Sequence, residues 1–193
     1  MKPTAKLSPS QTKAKTTQVR ISGFGGQGIV LAGMLLGKAA SLYDNKEAVF
    51  TQAYGPEARG GASNADVIIS DTPIGYPLVT QPDVLAVMFQ EAYARFRPGL
   101  REDGILIIES DLVHPAEDDT GYHGLAASKL ADGLGRRIVA NVVVLGYLVG
   151  ITDVVSRKSV ERAIETTVKP GTIDLNFEAF AAGYDRARQE LRA

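Results

Sequence analysis

The chain reads as an α/β fold in one domain, and three observations point there. A short apolar run, Val19 to Ser22, leads straight into a glycine turn and then a small-residue helix. Two later runs, Val84 to Met88 and Ile105 to Ile108, are apolar without a break, as strands covered on both faces are. Stretches with helical spacing alternate with these runs, which is the pattern of helices packed on a mainly parallel sheet. A length of 193 residues suits one ordinary domain with a real core.

The elements follow in order. Met1 to Thr17 is polar and basic, with Lys2, Lys6, Lys13 and Lys15, and reads as a flexible tail; 18–193 forms the domain. Gln18 to Ser22 suits a buried parallel strand. Gln27 to Tyr43 follows as a helix in which Ala32, Gly33 and Gly37 keep one face thin. Glu47 to Ala53 is the second strand. Tyr54-Gly55-Pro56-Glu57-Ala58-Arg59-Gly60-Gly61 is a loop stiffened by Pro56. Ser63 to Ser70 alternates, with one face more polar, and is placed to form a hairpin with the second strand. Asp83 to Phe89 is a central strand, and a helix then runs through about Phe96. Gly104 to Glu109 is another buried strand. Val113 to Gly124 reads as an exposed loop with His114 and His123 solvated. Leu125 to Leu134 is a helix closed by Gly135. Val139 to Ile151 is apolar nearly all round and reads as a buried helix. Ser156 caps an amphipathic helix to Val168, and Asp174 or Asn176 introduces the last helix, Leu175 to Leu191.

Composition excludes several functions. A formal net charge of −1 gives no general attraction to nucleic acid or acidic membranes. The absence of cysteine rules out disulfides, thiolate catalysis and any iron–sulfur cluster ligated by this chain. His114 and His123 lack zinc-ligand spacing, so no metal site is expected. No apolar run reaches the roughly 18 residues of a membrane span. The amino end lacks the apolar core of a secretory signal, so a cytoplasmic chain is expected.

Gly23, Gly25 and Gly28 fit G-x-G-x-x-G. In that pattern the first glycine makes the turn, the second lets backbone approach a ligand, and the third lets helix and strand pack closely. With Phe24, Gly26 and Gln27 they present the opening N–H groups of a helix, a place for phosphate or another anion. A turn that only packs and docks is the alternative. A dinucleotide site would want an acid roughly 20 residues on, closing the second strand. None stands there; Asp44 and Glu47 precede that strand. The Tyr54–Gly61 loop should join the glycine turn in one site, each loop closing one of two neighbouring strands. Gln90 and Glu91 either face the same crevice or serve as capping and first-turn charge. No Ser/His/Asp arrangement suggests that the chain carries catalysis, so no catalytic residue is assigned.

Gly23-Phe24-Gly25-Gly26-Gln27-Gly28-Ile29-Val30-Leu31-Ala32-Gly33 resembles the opening of the gamma subunit, or gamma domain, of 2-oxoacid:acceptor oxidoreductases. Tyr54 to Gly61 resembles that family's second signature. Ile74-Gly75-Tyr76-Pro77, Gln81-Pro82-Asp83-Val84, Gln90-Glu91-Ala92-Tyr93, Asn141 with Leu145-Gly146, and Phe177-Glu178-Ala179-Phe180 fit the rest, from about Gln18 to Tyr184. The resemblance implies a single Rossmann-like three-layer α/β/α domain with a mixed sheet. It implies a complex that oxidatively decarboxylates a 2-oxoacid to an acyl-CoA and passes electrons to ferredoxin or NAD. Thiamine diphosphate and Mg²⁺ are then expected between alpha and beta subunits. The [4Fe-4S] clusters belong in beta and delta-type parts, with a further flavin subunit possible. This chain packs beside the active site and helps receive coenzyme A. The residues expected to do so are Gly23, Phe24, Gly25, Gly26, Gln27, Gly28, Tyr54, Glu57, Arg59, Gly60 and Gln90, with Arg59 the anion partner and Glu57 orienting it. Two rival readings are a free-standing nucleotide-binding oxidoreductase and a purely structural assembly subunit.

Overall fold

The computed structural model describes residues 15–53 and 61–193. Six strands form one sheet: β1 (Thr16–Phe24), β2 (Glu47–Ala53), β3 (Ala62–Ser70), β4 (Val84–Val87), β5 (Ile105–Glu109) and β6 (Tyr122–Leu125). Their order across the sheet is β2-β3-β1-β4-β5-β6. Strands β1, β4, β5 and β6 run parallel, while β3 is antiparallel to both β1 and β2. The sheet is therefore mixed, and the hairpin of β2 with β3 stands as the alternation predicts.

One correction concerns the two loops. β1 and β2 are not neighbours, because β3 lies between them: Phe24 pairs with Ala62, and Ala53 with Asn64. The antiparallel β3 still brings the ends of β1 and β2 to the same edge of the sheet. Residues 54–60, which include Tyr54, Glu57, Arg59 and Gly60, lie outside the described residues, as do residues 1–14 of the tail.

Helices α1 (Ile29–Lys38), α3 (Ala127–Gly133), α4 (Ala140–Thr152), α5 (Arg157–Glu165) and α6 (Ile173–Glu190) cover one face. The smaller α2 (Gln90–Phe96) covers the other, with Leu85, Val87, Tyr93, Phe96, Leu106 and Ile108 as its apolar cluster. A π-helical turn, Ala39–Tyr43, extends α1 to the expected end. Gly33 of α1 lies so close to the sheet that a methyl there would sit 2.6 Å from Ala65 Cβ and 2.9 Å from Phe50 Cε2. The thin helix face predicted from Ala32, Gly33 and Gly37 is thus what seats α1 on β3 and β2. This close approach falls at Gly33 and not at Gly28, the third glycine of the motif.

The polar face of β3 is covered. Arg20 holds Asp66 through two bonds, 2.7 and 2.5 Å, and also donates to the Val79 carbonyl at 3.2 Å. Its guanidinium lies 5.1 Å from the Phe96 ring centroid. Residues 71–82 are thereby strapped to the sheet by the charged pair through the Val79 carbonyl, with the Val79 side chain buried as well.

The Val113–Gly124 region differs from expectation. Its last residues form β6, and His123 Nδ1 lies 2.7 Å from Glu190 Oε1 of α6, so this histidine is partnered and not solvated. His114 is exposed, as expected. The short strand escaped notice because Tyr122-His123-Gly124-Leu125 has no apolar alternation; it adds to the sheet by pairing with β5. Ser156 caps α5 by accepting from the Ser159 amide, as predicted. The cap of α6 is Thr172, without a side-chain bond; Asn176 instead donates back to the Thr172 carbonyl at 2.7 Å.

Candidate functional site

β1 is the point where the chain turns both ways. From its carboxyl end α1 leads away to β2 on one side, while β4 lies beside β1 and sends α2 to the other face. Open α/β sheets leave a crevice at such a point, outside the strand ends. Here the crevice lies between the glycine turn after β1 and Met88–Phe89 after β4.

The turn is held by its own glutamine. Gln27 Oε1 accepts from the Phe24 amide at 2.6 Å, and Gln27 Nε2 donates to the Met88 carbonyl at 3.1 Å. The Gln27 amide closes the turn by donating to the Phe24 carbonyl at 3.1 Å. One side chain thus ties the turn to itself and to the end of β4. An added methyl at Gly23 would meet Gln27 Oε1 at 2.5 Å and Ile29 Cδ1 at 2.8 Å, so a larger residue there would displace the glutamine that holds the turn. Gly26 has φ +97° and Gly28 φ +74°, in the left-handed region that glycine enters without strain. The amides of Gly25, Gly26 and Gly28 make no hydrogen bond among the described residues. A methyl at Gly25 would meet nothing within 4 Å among the described residues, which leaves that backbone open on the side they form.

Beside the turn is a cavity of about 470 Å³, within the usual size of a small-molecule site. Its walls are Phe24, Phe89, Leu112 and Ile138. The rings of Phe24 and Phe89 pack at 5.2 Å between centroids. Besides Gln27, two polar side chains line it. Ser128 is 5% exposed, and its hydroxyl has no partner among the described residues. Arg137 stands at the mouth, with only a 3.9 Å contact to Asp132. Beneath Ser128, the fully buried Glu109 accepts from the amides of Ser128 at 2.8 Å and Asp111 at 3.1 Å. Burial pushes its pKa up, against those main-chain donors. Glu109 fixes the start of α3, and with it the position of Ser128.

The predicted residues are distributed as follows. Phe24, Gly26 and Gln27 line the cavity; Gly23, Gly25 and Gly28 shape the turn. Gly28 faces the Asn141 amide, which donates to its carbonyl at 2.9 Å. Gln90 does not line the crevice: its Oε1 accepts from the His114 amide at 2.7 Å and its Nε2 donates to the His114 carbonyl at 3.2 Å. A glutamine at a strand end gives no sign in sequence of whether its amide is free. Arg137, Ser128, Phe89 and Ile138 were missed. The one available signal was Gly135-Arg136-Arg137-Ile138, an apolar residue beside two cations just past a helix stop. The residues suit an anionic ligand with an apolar arm: amides without a partner among the described residues and a guanidinium, beside aromatic and aliphatic walls. Iron–sulfur ligation does not fit, since the chain offers no thiolate.

The family model described as pyruvate ferredoxin/flavodoxin oxidoreductase matches residues 18–186. The 2-oxoglutarate synthase subunit KorC of Methanocaldococcus jannaschii is 47% identical over 176 residues, which span 89% of this chain and 94% of that protein. The solved gamma subunit of a keto/oxoacid ferredoxin oxidoreductase from Geobacter sulfurreducens superposes with a TM-score of 0.80 at 41% identity, covering 90% of this chain and 97% of that one. The 2-oxoglutarate:ferredoxin oxidoreductase of Magnetococcus marinus, solved with 2-oxoglutarate, coenzyme A and succinyl-CoA bound, gives a TM-score of 0.79 at 21% identity, covering 91% of this chain and 31% of that one. That last likeness is one of fold.

Proposed function

The chain belongs to the pyruvate ferredoxin/flavodoxin oxidoreductase family as a gamma subunit of 2-oxoacid:ferredoxin oxidoreductases, and we propose that its complex converts 2-oxoglutarate and coenzyme A to succinyl-CoA. The substrate is taken from the 47% identity to a 2-oxoglutarate synthase subunit. The carbon chemistry belongs to thiamine diphosphate bound by other subunits. This chain's part is to bind and orient the coenzyme.

The observation that carries the reading is the turn whose Gly25, Gly26 and Gly28 amides have no partner among the described residues, beside an apolar cavity lined by Arg137. Main-chain N–H groups and a guanidinium suit a diphosphate. Phe24, Phe89 and Ile138 suit the uncharged arm that carries the thiol. Arg59, in the loop beyond β2, is proposed as a second anion partner, oriented by Glu57, with Tyr54 and Gly60 beside it. The electron acceptor is proposed to be ferredoxin, with thiamine diphosphate, Mg²⁺ and [4Fe-4S] clusters in alpha, beta and delta-type partners.

The test is the assembled complex with a viologen dye as acceptor. 2-Oxoglutarate should be oxidised at a kcat/KM at least about tenfold above pyruvate, and only with coenzyme A present. Arg137→Ala should raise KM for coenzyme A about tenfold, the loss of one charge-assisted contact, with KM for the 2-oxoacid and subunit composition unchanged. Pyruvate preferred would overturn the substrate, and an unmoved coenzyme A KM would overturn the crevice as its site.

A further inference from the structure

One phrase of the sequence has no part in the crevice: Ile74-Gly75-Tyr76-Pro77, with Leu78 after it. It lies in the segment that joins β3 to β4. It sits by Thr16 and Gln18 at the start of β1, the opposite end of that strand from the glycine turn.

Both stems of this segment are clamped. On one side the Asp71 amide donates to the Lys15 carbonyl at 3.4 Å, and the Thr72 amide to Ser70 Oγ at 3.2 Å. On the other, the Thr80 amide donates to Gln18 Oε1 at 3.2 Å, and the Pro82 carbonyl accepts from the Arg101 amide at 3.2 Å. Arg20 holds the Val79 carbonyl, and Val79 and Pro82 are buried. Between the stems, residues 73–78 make no hydrogen bond among the described residues. Their shape comes from proline instead. Pro73 and Pro77 fix their own φ, and each biases the residue before it, Thr72 and Tyr76, toward an extended backbone.

This segment turns apolar side chains outward. Tyr76 is 60% exposed and Leu78 50%, with Pro73 and Pro77 exposed beside them. Apolar side chains exposed singly are ordinary. Two large ones flanking a proline, on a segment clamped at both stems, make a contact surface. Beneath lies a gap of about 200 Å³, bordered by Gln18, Ile68 and Ser70 of the sheet. The segment therefore arches over the strands and does not lie flat on them.

The backbone says what fits against it. The two prolines remove N–H groups and leave every carbonyl, so the segment offers more acceptors than donors. A second copy would set one acceptor-rich edge against another. A fitting surface brings N–H donors set between aromatic rings, as grooves that take extended proline segments do. The chain is a gamma subunit and so has partner subunits. We propose that residues 73–78 are a docking segment that seats in an aromatic-lined groove on another subunit of the complex. Tyr76 and Leu78 are its anchors. The prolines lower the entropy lost on docking, because the bound shape is already set. Docking at this end of β1 leaves the crevice open, and the proposal does not rest on what the crevice binds.

The experiment uses the purified complex, with Tyr76 replaced by the photoreactive benzoylphenylalanine. On illumination an adduct should join this chain to one other subunit. An adduct to a second copy, an adduct within the chain, or no adduct overturns the proposal. In parallel, Tyr76→Ser with Leu78→Ser should raise the dissociation constant of this chain from the remaining subunits about thirtyfold or more. The Tm of the full chain should stay within about 2 °C, since both side chains are exposed. Leu42→Ser removes another exposed apolar side chain, 63% exposed on the turn after α1, and should leave the constant unchanged. A rise below about threefold in the double variant, or an equal rise in Leu42→Ser, overturns the proposal. An unmoved coenzyme A KM in Arg137→Ala would remove the crevice reading and leave this one standing.

Discussion

Glu109 shows how one residue serves the site without facing it. It closes β5, a strand whose other residues are apolar, and it is fully buried. Its oxygens take the Ser128 and Asp111 amides, with Ala127 close by, so it stands in for the missing cap of α3. Replacing it removes both the burial penalty of a carboxylate and the acceptors for those amides. The second effect wins, because the main-chain donors would stay buried and unpaired. Glu109→Ala should lower unfolding free energy by about 2–3 kcal/mol, measured by urea titration with an unchanged m value. A loss below about 0.5 kcal/mol would mean that water replaces the carboxylate. The acid at the strand end was legible in the sequence; its burial and its partners 18 to 19 residues on were not.

At the scale of elements, the pairing of α4 with α6 sets the thickness of the larger layer. The all-apolar α4 read as a buried helix from its composition, and it is buried along Ala140 to Gly150. What sequence did not reveal was its partner. Gly146 and Gly150 of α4 face the backbone of Phe180 and Tyr184, and Gly183 of α6 faces the Val143 carbonyl and the Tyr147 amide. These contacts are with backbone and, at Gly150, with the Ala187 Cβ, so nothing flexible can give way. Gly183→Ala should force the helices apart and cost about 3 kcal/mol or more, seen as a fall in Tm of roughly 6–12 °C for a domain of this size. A fall below about 2 °C would show that the helices slide at little cost.

At the scale of the whole molecule, three carboxylates join segments far apart in the chain. Asp119 is held down in pKa by hydrogen bonds from Arg97, against burial, with Tyr93 also donating. For Asp44, burial pushes up, but bonds from Ser159 and from the Ser156 amide and hydroxyl outweigh it. For Glu190, burial again pushes up, and Tyr147 with His123 outweigh it. A carboxylate whose folded pKa lies below its unfolded value stabilises the fold above the unfolded value. That stabilisation is lost as pH falls through the folded value. Tm should therefore be flat near neutrality and drop once pH falls below the ordinary carboxylate range. Asp119→Asn should lower Tm at pH 7 by about 2–4 °C, and the gap from the parent should narrow as pH falls through the lowered pKa of Asp119, below the ordinary carboxylate range. An unchanged gap at low pH would show that Asp119 acts by shape and not by charge. Glu109, whose pKa is raised, works in the opposite sense: its contribution falls as pH rises through its folded value.

The sequence by itself determined the elements that depend on near neighbours. The glycine turn, the thin face of α1, the unbroken apolar strands, the β2–β3 hairpin and the Ser156 cap are all set by residues within a few positions of one another, where φ preference, periodicity and local hydrogen bonding act. The family likeness was legible for the same reason, since its phrases are continuous. The tertiary structure decided what depends on partners distant in the chain. It placed β3 between β1 and β2, gave Gly28 to Asn141, gave Gln90 to His114, and gave His123 to Glu190. It also brought Ser128 and Arg137 to the crevice from 100 residues or more beyond the glycine turn. Whether a polar side chain is free for a ligand depends on which groups the fold sets against it, and no local pattern records that.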